Sequence, residues 1–459
     1  MAETNESETS GPRNATFVAV DNRRWQEKLQ RDLKGKPADD LAWTDVSGLT
    51  IEPLYNEGQS SKRRGMPGLG ASWQVSVGID SSDPSVAQTQ VVEAARGGAE
   101  AVFVTLGAPD ASTGVKFRSA TEFEIFCRSL VDAGLDIHLD SGREALTLAS
   151  ALNYASSLGI DPCRSAAQGQ SQADVDALAD LGFDLFTGGD CHGVPFTVNT
   201  LDYHGAGACH SLELALSFAS GVHLLREAKA RGVEIEQLAP LITFDVAVGT
   251  DFFSSIAKCR AARLGWMRIG EVLGIDGTMM LHVSPSVLHQ TTRGRWVNTL
   301  RNTAYCFGGA VGGADRITLP SHEFHTKTEG DLGARIARNT QLVLRLESGL
   351  DQVKDAAAGS YYLERRTDDT VQRAWELFQQ IEGQGGILPA LASGWVANQI
   401  RGDRERRMAD VEQGATPILG VSLYPSPDEK LEPPTERETT SRGTIRPRPL
   451  SWDVKGEGA

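Results

Sequence analysis

Short apolar and β-branched runs recur through the middle of the chain, and between them apolar positions repeat at i, i+3 and i+4. The short runs predict strands at residues 73–79, 101–106, 136–140, 196–201, 242–248, 279–284 and 316–319, with an eighth near 183–187. The longer stretches predict helices at 86–96, 121–133, 211–230 and 252–273. The helix at 121–133 puts Phe123, Phe126, Leu130 and Val131 on one face and is closed by Gly134. Further helices at 332–347, 373–382 and 388–411 follow the last strand. About eight strand–helix units in succession imply a parallel sheet, because a parallel neighbour is reached only through a crossover. Eight units close that sheet into an α/β (β/α)8 TIM barrel. An open doubly wound sheet is the alternative, but no GxGxxG follows the first strand to support it.

The two ends lack this pattern. Residues 1–16 are polar and read as a disordered tail, and 17–70 read as an N-terminal arm that includes an extended stretch from Gly48 to Tyr55. Residues 71–424 hold the barrel. From 425 to 459, Pro433-Pro434, Pro447 and Pro449 stand among charges, a composition that buries too little to fold alone, so this too is expected to be a disordered tail.

Composition narrows the function only by exclusion. The 459 residues carry 45 Lys and Arg against 60 Asp and Glu, a net charge of -15, which speaks against nucleic-acid or anionic-membrane binding. No apolar run approaches the ~18 residues of a spanning helix. No secretory or transit signal is visible at the start. Six cysteines at 127, 163, 191, 209, 259 and 306 form no CxxC pair and read as buried thiols of a reduced, cytoplasmic protein.

Few residues suggest chemistry. Gly188 to Gly193, with Asp190, Cys191 and His192, reads as a turn-forming loop rather than a metal site. Tyr203 and His204 directly follow a strand, where barrel residues face the active site, and Gly205 to Ala208 leave room beside them. A histidine there can donate a hydrogen bond to a polarised carbonyl. His210, farther along, reads as a helix-surface residue. Lys258, Arg260 and Arg263 read as a solvated or interface-facing helix side that could also reach a phosphate. The glycine-rich stretch 308–313 has no following Lys-Ser/Thr and reads as close packing with a cap, not a P-loop.

Several stretches together resemble the methylmalonyl-CoA mutase family. Phe252 to Arg263 (FFSSIAKCRAAR) is similar to its "FF-E-IAK-RAAR" helix, Ala334 to Gln341 reads ARIARNTQ, and Ala358 to Glu364 (AGSYYLE) is similar to "GGSYYVE". Tyr203-His204 with Ala206-Gly207-Ala208 matches "YH-EAGA", the arm from Gly48 to Tyr55 is similar to "EGI-I-PLY", and Arg301-Asn302-Thr303 with 308–313 resembles "RTT…GG". The resemblance runs from about residue 25 to 424. It implies a barrel threaded by the pantetheine of an acyl-CoA, an adenosylcobalamin domain over the mouth, and a radical carbon-skeleton isomerisation. By the same resemblance Tyr203 and His204 are substrate-contacting, with His204 on the thioester carbonyl.

The departures from the family are specific. Where catalytic chains carry "RQYAG", whose Arg and Tyr face the substrate, this chain has Trp73-Gln74-Val75-Ser76-Val77. "TQND" is missing, with Leu158 to Pro162 nearby instead, and "SG-SLT-QDPYNN" is replaced by a short Gln290–Arg295 connection. Asp190-x-His192 resembles a cobalt-ligating signature but has Pro195 where that signature has Gly. The chain also ends where a cobalamin domain would begin. The resemblance therefore implies the small, non-catalytic subunit of a heterodimeric enzyme, with its catalytic large subunit as partner. That partner would hold the adenosylcobalamin, with none on this chain. A catalytic barrel served by a separate cobalamin-domain chain, and a CoA-ester-binding barrel without mutase activity, remain the alternatives.

Overall fold

The computed structural model describes residues 21–56, 66, 69–70, 72–79, 81–107, 114–141, 144–148, 155–188, 194–324, 331–426 and 445–454. Contacts divide the chain after Leu54. Within the first unit, helix α1 (Asn22–Asp32) is capped by Asp21, whose carboxylate accepts from the Arg24 amide at 2.8 Å. Strands β1 (Trp43–Thr44) and β2 (Thr50–Ile51) pair antiparallel. The Asp45 carboxylate closes their turn by accepting from the Ser47 and Leu49 amides, each at 2.9 Å. The stretch from Gly48 to Tyr55 is thus half of a small hairpin before it becomes extended.

The second unit is a closed barrel of eight parallel strands: β3 (Gln74–Ile79), β4 (Ala101–Thr105), β5 (Asp136–Asp140), β6 (Ser157–Ile160), β7 (Val194–Asn199), β8 (Thr243–Val248), β9 (Met280–Pro285) and β10 (Arg316–Leu319). Each pairs with its neighbour in chain order, and β10 closes on β3 with Arg316 opposite Gln74 and Thr318 opposite Ser76. The helices are α2 (Pro84–Arg96), α3 (Ala120–Asp132), α4 (Ala145–Leu148), α5 (Pro162–Ala167), α6 (Gln172–Thr187), α7 (Leu201–Ala206), α8 (His210–Ala230), α9 (Ile235–Leu238), α10 (Phe252–Leu273), α11 (Val297–Val311), α12 (Asp331–Leu342), α13 (Tyr361–Gly383), α14 (Ile387–Ala392) and α15 (Trp395–Glu412). Seven of the eight expected strands stand within a few residues of their sequence positions. The eighth is β6 rather than 183–187. The apolar run at 183–187 is the last turn of α6, where Phe183 packs on Phe196 of β7 with ring centroids 4.8 Å apart.

Strand β6 is hard to see in sequence because it is four residues long and bulged. Gly159 sits at φ +66°, and a Cβ there would lie 1.9 Å from the Leu139 carbonyl oxygen of β5. The wall is thickest over β7–β9, where α8 and α10 lie almost wholly buried and α13 packs across both. Two glycines set their separation. A Cβ on Gly221 of α8 would meet the Trp266 ring at 2.6 Å, and one on Gly265 of α10 would meet the Phe218 ring at 2.1 Å. Each helix thus receives the other's aromatic ring in a glycine notch. Phe244 of β8 packs beneath, with its ring centroid 4.7 Å from that of Trp266.

The helix expected at 373–382 begins twelve residues earlier, at Tyr361, and the stretch expected at 388–411 is two helices, α14 and α15. The composition of the last 35 residues also misleads in part. Residues 445–454 are ordered against the barrel, with Ile445, Leu450 and Ser451 buried. Apolar burial by these few residues offsets the polar, proline-rich setting from which a loose tail was expected.

Substituting Gly159→Ala adds a Cβ to a backbone clash as well as a left-handed φ, so a loss above about 4 kcal/mol is expected. Gly134→Ala, at φ +72° with nothing within 4 Å, should lose only about 1–2 kcal/mol. Urea denaturation of the two variants measures the contrast, and equal losses would contradict the bulge as the reason for glycine at 159.

Candidate functional site

Strand β7 ends at Asn199, whose side-chain oxygen accepts from the Leu201 amide at 3.1 Å and starts α7 at the C-terminal rim of the barrel. This one-turn helix carries both Tyr203 and His204, each fully buried. Their side chains diverge. The Tyr203 phenol is held far above its usual range by burial and by the neighbouring charges of Asp161, Cys163 and Asp202. The His204 ring enters a different pocket, between the starts of α8 and α10. The structure therefore places the two residues together in the chain but not around one cavity.

His204 lies among three elements. Its Nδ1 stands 2.7 Å from the Ser286 hydroxyl at the end of β9, and its ring stacks on His210 with centroids 5.5 Å apart. Ser286 Oγ also accepts from the Leu288 amide at 3.2 Å, which leaves its proton free to donate to Nδ1. The other ring nitrogen, Nε2, lies 3.9 Å from the Glu213 carboxylate. Burial, reinforced by the Lys258 and Arg407 cations, holds His204 well below its ordinary range, so the ring is neutral. His210 is held down in the same way. It is buried, not a surface residue, because α8 begins beneath α15 rather than in solvent.

The centre of this pocket is an ion pair with no water access. Lys258 Nζ of α10 contacts the Glu213 carboxylate of α8, both fully buried, and also donates to the Ala247 carbonyl at 2.6 Å. The other Glu213 oxygen accepts from the Ala247 amide at 2.7 Å and from the Thr200 hydroxyl at 3.3 Å. Burial pushes Glu213 up and Lys258 down, while each charge opposes the shift of the other. The Ala247 peptide is placed to solvate both groups, its N–H the carboxylate and its C=O the ammonium.

Arg260 and Arg263 follow the same rule, so the basic residues of α10 are not a solvated side. Arg260 pairs with Asp355 and with Glu364 Oε1 at 2.9 Å. Arg263 donates to Asp315 at 2.8 Å and to the carbonyls of Met279 at 2.7 Å and Gly313 at 2.6 Å. All three cations are interior staples between wall helices and strand ends, and none is available to a phosphate. The 308–313 glycines are packing residues, as expected: a Cβ on Gly309 would meet Val283 at 2.7 Å and one on Gly312 would meet Cys259 at 2.8 Å. The Asp190–His192 loop lies outside the described residues.

A second buried cluster crosses the rim on the other side. Arg164 of α5 reaches Asp140 at the end of β5 and Asp202 of α7, the latter at 2.8 Å, and Gln168 adds a bond to Asp202 at 2.9 Å. Asp161 beside it accepts from the Arg164 and Asn199 amides, while burial pushes its carboxyl up to about 6. Below the rim the lumen is polar. His282 bridges Asp245 at 3.0 Å and Thr318 at 2.8 Å, and its ring lies 5.1 Å from that of Phe103 across the barrel. Ser157 and Thr197 hydroxyls meet at 3.2 Å. Both ring nitrogens of His138, the Ser76 hydroxyl, and Nε and Nη1 of Arg316 are buried without a hydrogen-bond partner in the protein.

The lumen residues were not visible as a group in the sequence. Their signal is a polar residue on alternate positions of otherwise apolar strands, as in Thr243 and Asp245 beside Phe244 and Val246. The first strand presents Gln74, Ser76 and Gly78, and the Gln74 amide is tied to Asp136 at 2.5 Å. Neither an arginine nor a tyrosine projects from it. Among the described residues at the mouth, the His204 and His210 nitrogens are enclosed by the chain itself and are not open to a corrinoid. Among the described residues no cluster of His, Cys, Asp and Glu has the geometry to hold a metal ion, and no helix is long and apolar enough to cross a membrane.

Comparison with known proteins agrees with this geometry. The profile of the family described as methylmalonyl-CoA mutase matches residues 193–446, from β7 to the start of the ordered C-terminal segment. A methylmalonyl-CoA mutase small subunit of Streptomyces virginiae is 33% identical over 92% of this chain and 73% of its own length. The small subunit of Propionibacterium freudenreichii subsp. shermanii is 29% identical over 89% of this chain and 69% of its own. The large subunit of Streptomyces virginiae is 31% identical over 50% of this chain and 32% of its own.

The Glu213–Lys258 pair yields a test by double-mutant cycle. Glu213→Leu and Lys258→Met should each cost about 3–5 kcal/mol, because each strands a buried charge. The double variant should lose about as much as one single variant rather than the sum, as read by urea denaturation. Additive losses would show that the two charges do not depend on each other.

Proposed function

The chain belongs to the methylmalonyl-CoA mutase family, and we propose that it is the family's small, non-catalytic subunit, which supports isomerisation between methylmalonyl-CoA and succinyl-CoA by a catalytic large subunit. The relatives it matches over most of its length carry the small-subunit name. The observation that carries the reading is the first strand of the barrel. Where the resemblance implies an arginine and a tyrosine against the substrate, this chain has Trp73 and Val75, and β3 otherwise offers Ser76 and Gly78, with Gln74 bound to Asp136 below them. A radical rearrangement needs its substrate clamped and its intermediate shielded, and these side chains supply neither a charged clamp nor a phenol.

His204 supports the same conclusion. It is neutral, its Nδ1 is committed to Ser286, and it is fully enclosed. In this reading it serves packing and the Ser286 contact, and takes no part in chemistry. Adenosylcobalamin, which supplies the radical, belongs to the partner, and no step is assigned to it on this chain. The similarity of the chain to both small and large subunits of one organism supports a partner built on the same barrel, joined across a pseudo-twofold interface.

A second reading is favoured by the lumen. His138, Ser76 and Arg316 leave buried donors and acceptors without partners in the protein, which is costly unless something polar lies beside them. An extended polar chain such as pantetheine would satisfy them without reacting, so the barrel would keep acyl-CoA binding after losing turnover.

The purified chain alone should show no turnover of methylmalonyl-CoA and no bound cobalamin by absorbance. Mixed with a methylmalonyl-CoA mutase large subunit, it should give a one-to-one complex by light scattering. Turnover or stoichiometric cobalamin on the chain alone would overturn the proposal. Calorimetric titration of the chain with CoA decides the second reading, since a lumen closed to ligands gives no binding heat.

A further inference from the structure

The ordered C-terminal segment lies where a barrel enzyme is normally open. Residues 445–454 run over α7 and the end of β9, at the C-terminal rim. The Arg448 amide donates to the Gly205 carbonyl at 3.1 Å, and a Cβ on Gly205 would come within 2.8 Å of Pro447, so the two backbones are in direct contact. Leu450 is buried in a small cluster with Leu288 and Val411, edged by Met408, Ile418 and Val454. Arg404 of α15 fastens the segment from the side. It bonds Asp453 through Nε at 2.8 Å and through Nη2 at 2.6 Å, and donates to the carbonyls of Arg448 at 3.3 Å and Pro449 at 3.1 Å.

Beneath this segment the pocket is enclosed and unusually polar. His204 Nε2, His210 Nδ1 and His289 Nδ1 are buried without hydrogen-bond partners, and the three rings are grouped, with His204 5.5 Å from His210 and 6.2 Å from His289. The cover itself is weakly built. It contains one 3-10 turn, Leu450–Asp453, and pairs with no barrel strand. Its buried apolar side chains are two, Ile445 and Leu450. Elements with little apolar contact and no ladder open at a small fraction of the global unfolding free energy.

We propose that residues 445–454 are a lid that closes the histidine pocket at the barrel mouth and opens as a unit while the barrel stays folded. Opening breaks the Arg448–Gly205 bond and the Arg404–Asp453 pair together and withdraws Leu450 from Leu288. It leaves α8 and the Glu213–Lys258 pair intact, because the hydrogen bonds that hold the pair are made by Ala247 and Thr200 and not by the segment. The inference does not depend on the subunit role, since an opening lid is compatible with either a silent or a reactive barrel.

Hydrogen exchange on the full chain tests it. A peptide over 445–454 should exchange at least about tenfold faster than peptides from α8 under native conditions. In a Leu450→Asp variant, carbethoxylation of His204 by diethyl pyrocarbonate should rise about tenfold, with the far-ultraviolet circular dichroism unchanged. Exchange of 445–454 only together with α8 would overturn the proposal, as would a detached segment with His204 still unreactive. If Leu450→Asp does not fold, the exchange comparison on the wild-type chain decides alone.

Discussion

Everything at the mouth of this barrel depends on how the Glu213–Lys258 pair is solvated. Helices α8 and α10 are sealed on the outside by α13, so any charge on their inner faces must be satisfied by protein. The Ala247 peptide does this, offering its N–H to the carboxylate and its carbonyl to the ammonium. The consequence is positional. With both side chains spanning to the same residue of β8, the first turn of α8 and the second turn of α10 are held against one strand end. The position of α8 then fixes that of α7 before it, and with it His204. Arg260 and Arg263 repeat the device farther along α10, joining it to α13 and to the loop before β10.

The same enclosure turns the rim residues inward. A hydrogen-bonding histidine at the end of a barrel strand is useful when its free nitrogen faces a ligand. Here the free nitrogen of His204 faces Glu213 across 3.9 Å and the chain's own residues cover the ring. At the other side of the rim, Arg164 is held between Asp140 and Asp202 rather than presented to a substrate carboxylate. The scaffold is kept while the charges at its rim are turned on one another. That is the physical sense in which a barrel of this family can serve as a support for a catalytic partner.

The barrel was legible in the sequence because strand–helix alternation is a long signal, repeated enough times that one misplaced strand did not change the fold. β6 was missed because four residues interrupted by a left-handed glycine carry no periodicity, while the Phe183–Phe186 run nearby mimics a strand. The ordered segment at 445–454 was missed because its anchors, Ile445, Leu450 and Ser451, are too few to outweigh the prolines and charges around them. The basic residues of α10 were misread for a different reason. Glu213, Asp315, Asp355 and Glu364, which neutralise them, lie from 45 to 104 residues away, and no local pattern reveals such pairing. An alanine beside each cation, Ala257, Ala261 and Ala262, was the available hint, since a solvated helix side rarely needs them.

On the proposed reading, this barrel contributes no reacting group to a complex with a catalytic large subunit. That reading is tested most directly by the turnover of a complex assembled from a catalytic large subunit and this chain carrying His204→Gln. If the chain only supports its partner, the complex remains one-to-one and turnover stays within about twofold of the complex with the unaltered chain. A loss of about a hundredfold or more in an intact complex would contradict the account, because that is the scale expected when a hydrogen-bond donor to the reacting carbonyl is removed.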